Sequence, residues 1–259
     1  MHPIERLRHV ARSDGVGHAL LVREAAGALA SFADDPPGLV TACRRLVERH
    51  PTSGPMWWLA SRMLTASEPV AEAWRSADQL DADGSAQVLV ARLPDDASVL
   101  VFGWPELAGE AVRRRADLEL LVVDAGGEGR SFSRRLRNAG VDALDVPDSG
   151  VGAAAAESDL VLLEASAIGP DGFVAAAGAR AAASVARQTG TAVWLVAGVG
   201  RMLPAALWEA LLDRLSADGG EPWDRPEEVV PLDVVDEVVG AGGTEPTCGV
   251  APELLKPLD

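Results

Sequence analysis

The sequence predicts an α/β chain in two parts: an N-terminal helical domain over residues 1–96, then a parallel-sheet domain with a wrapping C-terminal tail over residues 97–259. Three observations carry this prediction. Residues 3 to about 90 place apolar side chains at helical spacing. From Ser98 onward, short apolar runs alternate with helical segments, the rhythm of a parallel sheet buried on both faces. The stretch from Asp159 to Ala179 then joins an apolar run, Leu160 to Leu163, to a polar tip, a Gly169-Pro170-Asp171-Gly172 turn and a run of alanines.

In order, a first helical run opens at Asp14-Gly15 and stops at Asp34-Asp35-Pro36-Pro37, and a second runs from Gly38 to Arg49. A third begins after His50-Pro51-Thr52-Ser53-Gly54-Pro55, with Pro55 suited to a first turn and Thr52 or Ser53 to the cap. Val70 to Leu93 reads as one longer helix with a weak point at Asp83-Gly84. Strands are predicted at Ser98–Gly103, Leu118–Val123, Val141–Val146, Asp159–Glu164 and Ala192–Ala197. Helices fill Glu106–Ala116, Arg130–Ala139, Phe173–Gln188 and Pro204–Ala217, while Gly150 to Glu157 has room for about a turn. The tail from Glu221 carries one alternating run, Val229 to Val239.

Composition excludes several chemistries. A net charge of -16 and a pI near 4.6, with no basic patch evident, disfavour nucleic acid and anionic membranes as direct partners. Lys256 is the sole lysine, which sets Schiff-base chemistry aside. Cys43 and Cys248 lie far apart and no signal peptide is apparent, so a reduced, cytoplasmic setting is expected, with no metal site and no cofactor. No apolar run approaches the roughly 20 residues that span a bilayer. All four histidines, His2, His9, His18 and His50, fall in the helical part, leaving the sheet domain without an imidazole.

Ligands of open α/β sheets sit at the carboxyl ends of the strands, which directs attention to Glu164, Ser166 and Gly172. Three strand-end loops add candidates. Asp124 to Arg130 places Gly127, Gly129 and Arg130 before a helix, either a flexible turn or a phosphate site; it has neither Walker nor GxGxxG spacing. Asp148 and Ser149 can grip sugar hydroxyls or cap the next helix. Arg201 is either an anion ligand or an exposed charge, the latter favoured because arginines are mostly exposed. Asp171 completes the ligand-binding set. Cys43, flanked by Leu39, Val40 and Leu46, reads as a core residue.

Four segments resemble one family, the translation initiation factor 2B alpha/beta/delta subunits and their relatives methylthioribose-1-phosphate isomerase and ribose-1,5-bisphosphate isomerase. HPTSGPMWWLASRML is similar to the family's RPT-plus-helix segment, and GRSFSRRLRNAGVDALDVPDSGVG to its G-x-x-L…D-S segment. LVLLEASAIGPDGFVAAAGA resembles GADAI-x-x-NG-x-V-x-NKIGT, and EVVGAGGTEPTCGVAPELL resembles the C-terminal T-E-x-G-x-x-P segment. The resemblance implies a Rossmann-like second domain of the sugar-phosphate isomerase/CoA-transferase kind, a homodimer, and a strand-end pocket for a phosphorylated metabolite, either a sugar phosphate or a nucleotide.

It does not carry over the isomerase catalysis, which in that family uses a Cys and an Asp. The Cys segment reads Leu100-Val101-Phe102-Gly103-Trp104-Pro105 without a thiol, the Asp of GAD falls on Ser166, and the Asn-Lys pair falls on Ala175 and Ala176. Glu164 faces the same side as Ser166 but is displaced by about 6–7 Å along the strand, where misplacement on the order of 1 Å already costs about a hundredfold. The resulting expectation is a non-catalytic pocket protein. The alternatives are an aldose–ketose isomerase with a rearranged set drawn from Glu164 and Asp148, and a purely structural interaction protein whose pocket is filled by Trp57, Trp58 or Trp104.

Overall fold

The computed structural model describes residues 17–32, 34–217 and 219–246. The predicted opening at Asp14-Gly15, His2, His9, Cys248 and Lys256 lie outside them. Four helices come first: α1 (His18–Ala30), α2 (Pro36–Arg49), α3 (Gly54–Thr65) and α4 (Pro69–Asp81). Pro36 and Pro37 begin α2 rather than merely ending the preceding helix, because a first turn needs no backbone N–H from them. The Asp35 carboxylate caps that turn by accepting from the Gly38 N–H at 3.1 Å.

The predicted long helix over Val70–Leu93 is two helices. The Asp83-Gly84 weak point breaks it, and α5 (Ser85–Arg92) follows as a separate segment. Asp83 makes the break useful: one carboxylate oxygen accepts from the Ser85 N–H and the other from the Val199 N–H, both at 2.8 Å. Helix α5, on the helical side of the boundary expected at residue 96, packs through Ala86, Leu89 and Leu93 in one core with sheet residues Val99 and Leu120.

The sheet part runs β1 (Ser98–Phe102), α6 (Leu107–Val112), β2 (Glu119–Val123), α7 (Gly129–Asn138), β3 (Asp142–Val146), α8 (Val151–Glu157) and β4 (Leu160–Glu164). Then come β5 (Ala167–Ile168), β6 (Gly172–Ala176), α9 (Ala179–Thr189), β7 (Ala192–Val196) and α10 (Ala205–Ala217). The chain closes with β8 (Glu227–Pro231), β9 (Glu237–Gly240) and β10 (Gly243–Pro246). The strand order is β10-β9-β7-β4-β1-β2-β3, parallel except for β10. Succession reverses direction between β1 and β4, the position at which open α/β sheets form a ligand crevice.

The alanine-rich run departs from the prediction. Gly172–Ala176 is a strand, and helix α9 starts only at Ala179, after Gly178 at φ 93°. Alanine favours helix locally, but β6 pairs antiparallel with β5 on one side and β8 on the other, Phe173 opposite Val230 and Val174 opposite Val229. That pairing overrides propensity. The tail is likewise built into the fold, since β8 joins this small sheet and β9 lies parallel to β7 in the large one. The segment Gly150 to Glu157, with room for about a turn, instead holds the seven-residue α8.

Three cores result. One unites α1–α4 with Trp208 and Leu211 of α10, and the other two cover the two faces of the sheet. Because Asp83 ties the end of the helical part to the loop after β7, Asp83→Ala is expected to cost about 1–3 kcal/mol, the value of a cap and a further backbone acceptor. Urea denaturation measures it; an unchanged midpoint would dismiss the tie.

Candidate functional site

At the carboxyl ends of β1, β2 and β4 lies a cleft of about 1000 Å³. Its chemistry is built around Arg201, in the loop after β7. Contrary to the exposed charge favoured from the sequence, Arg201 is 3% exposed. Its guanidinium donates to Glu164 at 2.8 Å, to the Ala165 carbonyl at 2.6 Å and to Glu106 at 3.2 Å. A buried cation is tolerated because each of these acceptors is fixed and close.

Glu164, at the end of β4, is equally committed. Its oxygens accept from the backbone N–H groups of Glu106 at 3.1 Å and Ala108 at 2.8 Å, which caps the first turn of α6. Glu106 in turn reaches the helical part, where its carboxylate lies 2.7 Å from Nδ1 of His18. A Cβ on Gly17 would meet the Glu106 carboxylate at 2.6 Å, so glycine lets this contact close. Burial raises the Glu106 carboxyl, but His18 and the Arg201 charge outweigh it and hold the group below its ordinary range.

His18 and its partner Glu106 are site residues that sequence reasoning missed. The sheet part has no imidazole of its own, yet the fold lends it one from the first residue of α1, 88 positions from Glu106. No local pattern signals this pairing. Glu227 of β8 was also missed; it accepts a short hydrogen bond from the Ser166 hydroxyl across the cleft.

Ala175 and Ala176, where the family's Asn-Lys pair falls, line the cleft, and so do three of the candidate ligand-binding residues, Glu164, Ser166 and Arg201. The others are placed elsewhere. Arg130 is 76% exposed at its side chain and paired with its own loop's Asp124 at 3.1 Å. Gly127 is exposed at φ 77°, and Gly129 is buried at the start of α7. Asp148 and Ser149 are exposed beyond the end of β3, an edge strand, because the cleft forms at the reversal between β1 and β4. Asp171 accepts from the Trp208 indole at 2.9 Å, and Gly172 is a paired residue of β6. The expected grip of Arg130, Asp148, Ser149 and Asp171 on a ligand in this cleft is therefore not assembled.

The tryptophans also separate. Trp57 is buried and donates to the Pro51 carbonyl at 2.9 Å, while Trp58 lies under the Arg62 guanidinium at 4.6 Å. Neither lines the cleft; Trp104 does, at 44% exposure. Cys43 is buried in the helical core, and burial pushes its thiol up to about 12, in keeping with the core residue read from the sequence. Among the described residues no group of three or more His, Cys, Asp or Glu side chains is placed to hold a metal ion, and no helix is long and apolar enough to cross a membrane.

The class is thus an α/β protein with a helical N-terminal part and a strand-end cleft at the reversal of the sheet. Comparison by sequence finds no matching family model and no matching curated protein. Comparison by structure finds translation initiation factor eIF-2B of Pyrococcus horikoshii OT3, 15% identical with 98% of each chain covered and a TM-score of 0.79. Also similar are eIF2B beta from Chaetomium thermophilum, 14% identical over 95% of this chain and 88% of that one at a TM-score of 0.71, and a chain of the tetrameric eIF2B-beta2-delta2 complex of C. thermophilum, 18% identical over 95% and 90% at 0.70. The chain has the fold of the eIF2B subunits, as its motifs suggested.

The depressed Glu106 carboxyl fixes the sign of a pH effect. Its contribution to stability is complete above its ordinary value of 4.5 and is lost as pH falls through the lower folded value. Glu106→Gln is expected to flatten that part of the acid limb in melting curves taken between about pH 6 and pH 3. Superimposable acid limbs would show that the His18 and Arg201 contacts do not stabilise the carboxylate.

Proposed function

We propose that this chain is a non-catalytic binding protein on the eIF2B-subunit fold, and that its cleft holds the sugar of a small metabolite, a sugar phosphate or a nucleotide. The observation that carries this reading is that the polar groups at the strand ends are already engaged with one another. Glu164, Glu106, His18 and Arg201 form one bonded set, and Ser166 with Glu227 forms another. General acid–base catalysis needs a group free to exchange a proton with substrate, whereas carboxylates with a remaining acceptor site suit sugar hydroxyls. The Trp104 ring at the rim offers an apolar face for stacking.

An isomerase with a rearranged set is less well supported, since Glu164 is spent on Arg201 and two backbone N–H groups and Asp148 lies outside the cleft lining. A purely structural role is less well supported because Trp57 and Trp58 leave the cleft unfilled. The tetrameric neighbour and the 79% exposure of Trp223 favour assembly, which we read as a homodimer in a reducing, cytoplasmic setting.

Thermal-shift measurements test the binding. Adenosine and ribose 5-phosphate at millimolar concentration are expected to raise the melting temperature, ligand at a hundred times its Kd supplying about 2.7 kcal/mol, and Glu227→Gln is expected to reduce the shift. A flat response to both compounds would sink this reading. Light scattering on a sizing column is expected to give a dimer mass that Trp223→Ser lowers toward monomer; a monomeric parent protein would remove the homodimer.

A further inference from the structure

The cleft has a neighbour. A groove of about 230 Å³ runs between α6 and α7, walled by Trp104, Phe132, Arg113 and Arg135 together with the carboxylates of Glu106 and Glu110. Both carboxylates are occupied, Glu106 by His18 and Arg201 and Glu110 by Arg114 at 2.5 Å. Arg113 and Arg135 have no acidic partner among the described residues. The Arg135 guanidinium lies 5.5 Å over Trp104, a contact that orients the charge without neutralising it. Trp104 is held in turn against Phe132, ring centroids 5.7 Å apart.

Gly109 forms part of the same wall, where a Cβ would meet the Phe132 ring at 3.2 Å, so a side chain there would press on the ring that supports Trp104. The composition suggested no basic patch, yet seven arginines fall between Arg113 and Arg137. Four are paired with nearby acids; of the other three, Arg113 and Arg135 line the groove and Arg134 does not. Trp104 and Glu106 line both cavities, so groove and cleft meet across one short ridge.

We propose that this groove is an anion subsite that takes the phosphoryl group of the ligand whose sugar occupies the cleft, an inference that rests on the binding reading above. Guanidinium groups suit phosphate because they present several donors in a planar fork. The competing anion attractors of the sheet are already filled by the chain itself: Glu164 caps α6, Glu228 accepts from Gly178 and Arg180 at the start of α9, and Asp124 accepts from Arg130 at the start of α7. The net charge of -16 opposes anions at long range, but screening within about 8 Å at physiological salt leaves the local pair decisive.

Isothermal titration with inorganic pyrophosphate tests the subsite on the parent protein, an Arg113→Gln/Arg135→Gln double variant, and Arg134→Gln as an exposed control on α7. Binding in the millimolar range is expected, weakened at least about tenfold in the double variant, the loss of one or more charged hydrogen bonds, and unchanged in the control. No binding, or equal affinity in the double variant, overturns the subsite. Adenosine titrated in parallel reads the cleft alone. Adenosine bound without pyrophosphate overturns the subsite and keeps the cleft; pyrophosphate bound through the two arginines without adenosine keeps the subsite and removes the cleft's sugar.

Discussion

The buried charge of Arg201 is the constraint on which the rest of the site depends. Taking a guanidinium out of water costs several kcal/mol even after relaxation, so its acceptors must be held in place by structure that forms elsewhere. Glu164 comes from the end of β4, the Ala165 carbonyl from the following residue and Glu106 from the approach to α6. Satisfying one cation therefore fixes the loop after β7, the end of a central strand and the start of a helix on the opposite side of the chain. Through Glu106 the same network takes hold of His18 and so of the helical part.

A second consequence is electrostatic. Helix N-termini attract anions because their N–H groups lack intrahelical partners, and an acidic protein has carboxylates to spare for them. Here Glu164, Glu228 and Asp124 take those positions at α6, α9 and α7. The strand-end loops thereby lose the phosphate affinity that their glycines suggest. Glu106, Glu128, Glu164 and Glu227 around the cleft favour hydroxyl donors, while free positive charge is displaced to the outer face of α6 and α7.

The strands of the large sheet up to β7 were legible to within a residue or so, because a central strand buried on both faces must be continuously apolar and short, whereas β3, at the edge and largely exposed, is marked by its place between a helix and the Pro147 turn. Ser98–Phe102 and Ala192–Val196 end one residue before the predicted limits. The strand β6 was not legible, since three consecutive alanines carry a helical signal and its partner β8 lies more than 50 residues further on. The site shows the same division. Glu164, Ser166 and Arg201 could be found because strand ends and loops mark them, although the burial of Arg201 could not. His18 and Glu227 could not be found, because each enters the cleft by a tertiary contact with no local sequence signature.

The ridge from Trp104 to Glu106 brings these strands of argument together. On the cleft side Glu106 is pinned by His18 and Arg201; on the groove side Trp104 is pinned by Phe132 and Arg135. A ligand that spans both cavities would pass over a ring whose position is set from two directions, and it would meet donors on one side and acceptors on the other. Such an arrangement orients a molecule with a charged end and a hydroxyl-rich end without any group of the ridge releasing its own partner. That geometry is what the binding reading requires of the ridge, since Glu106 and Trp104 keep their own partners while both cavities stay open.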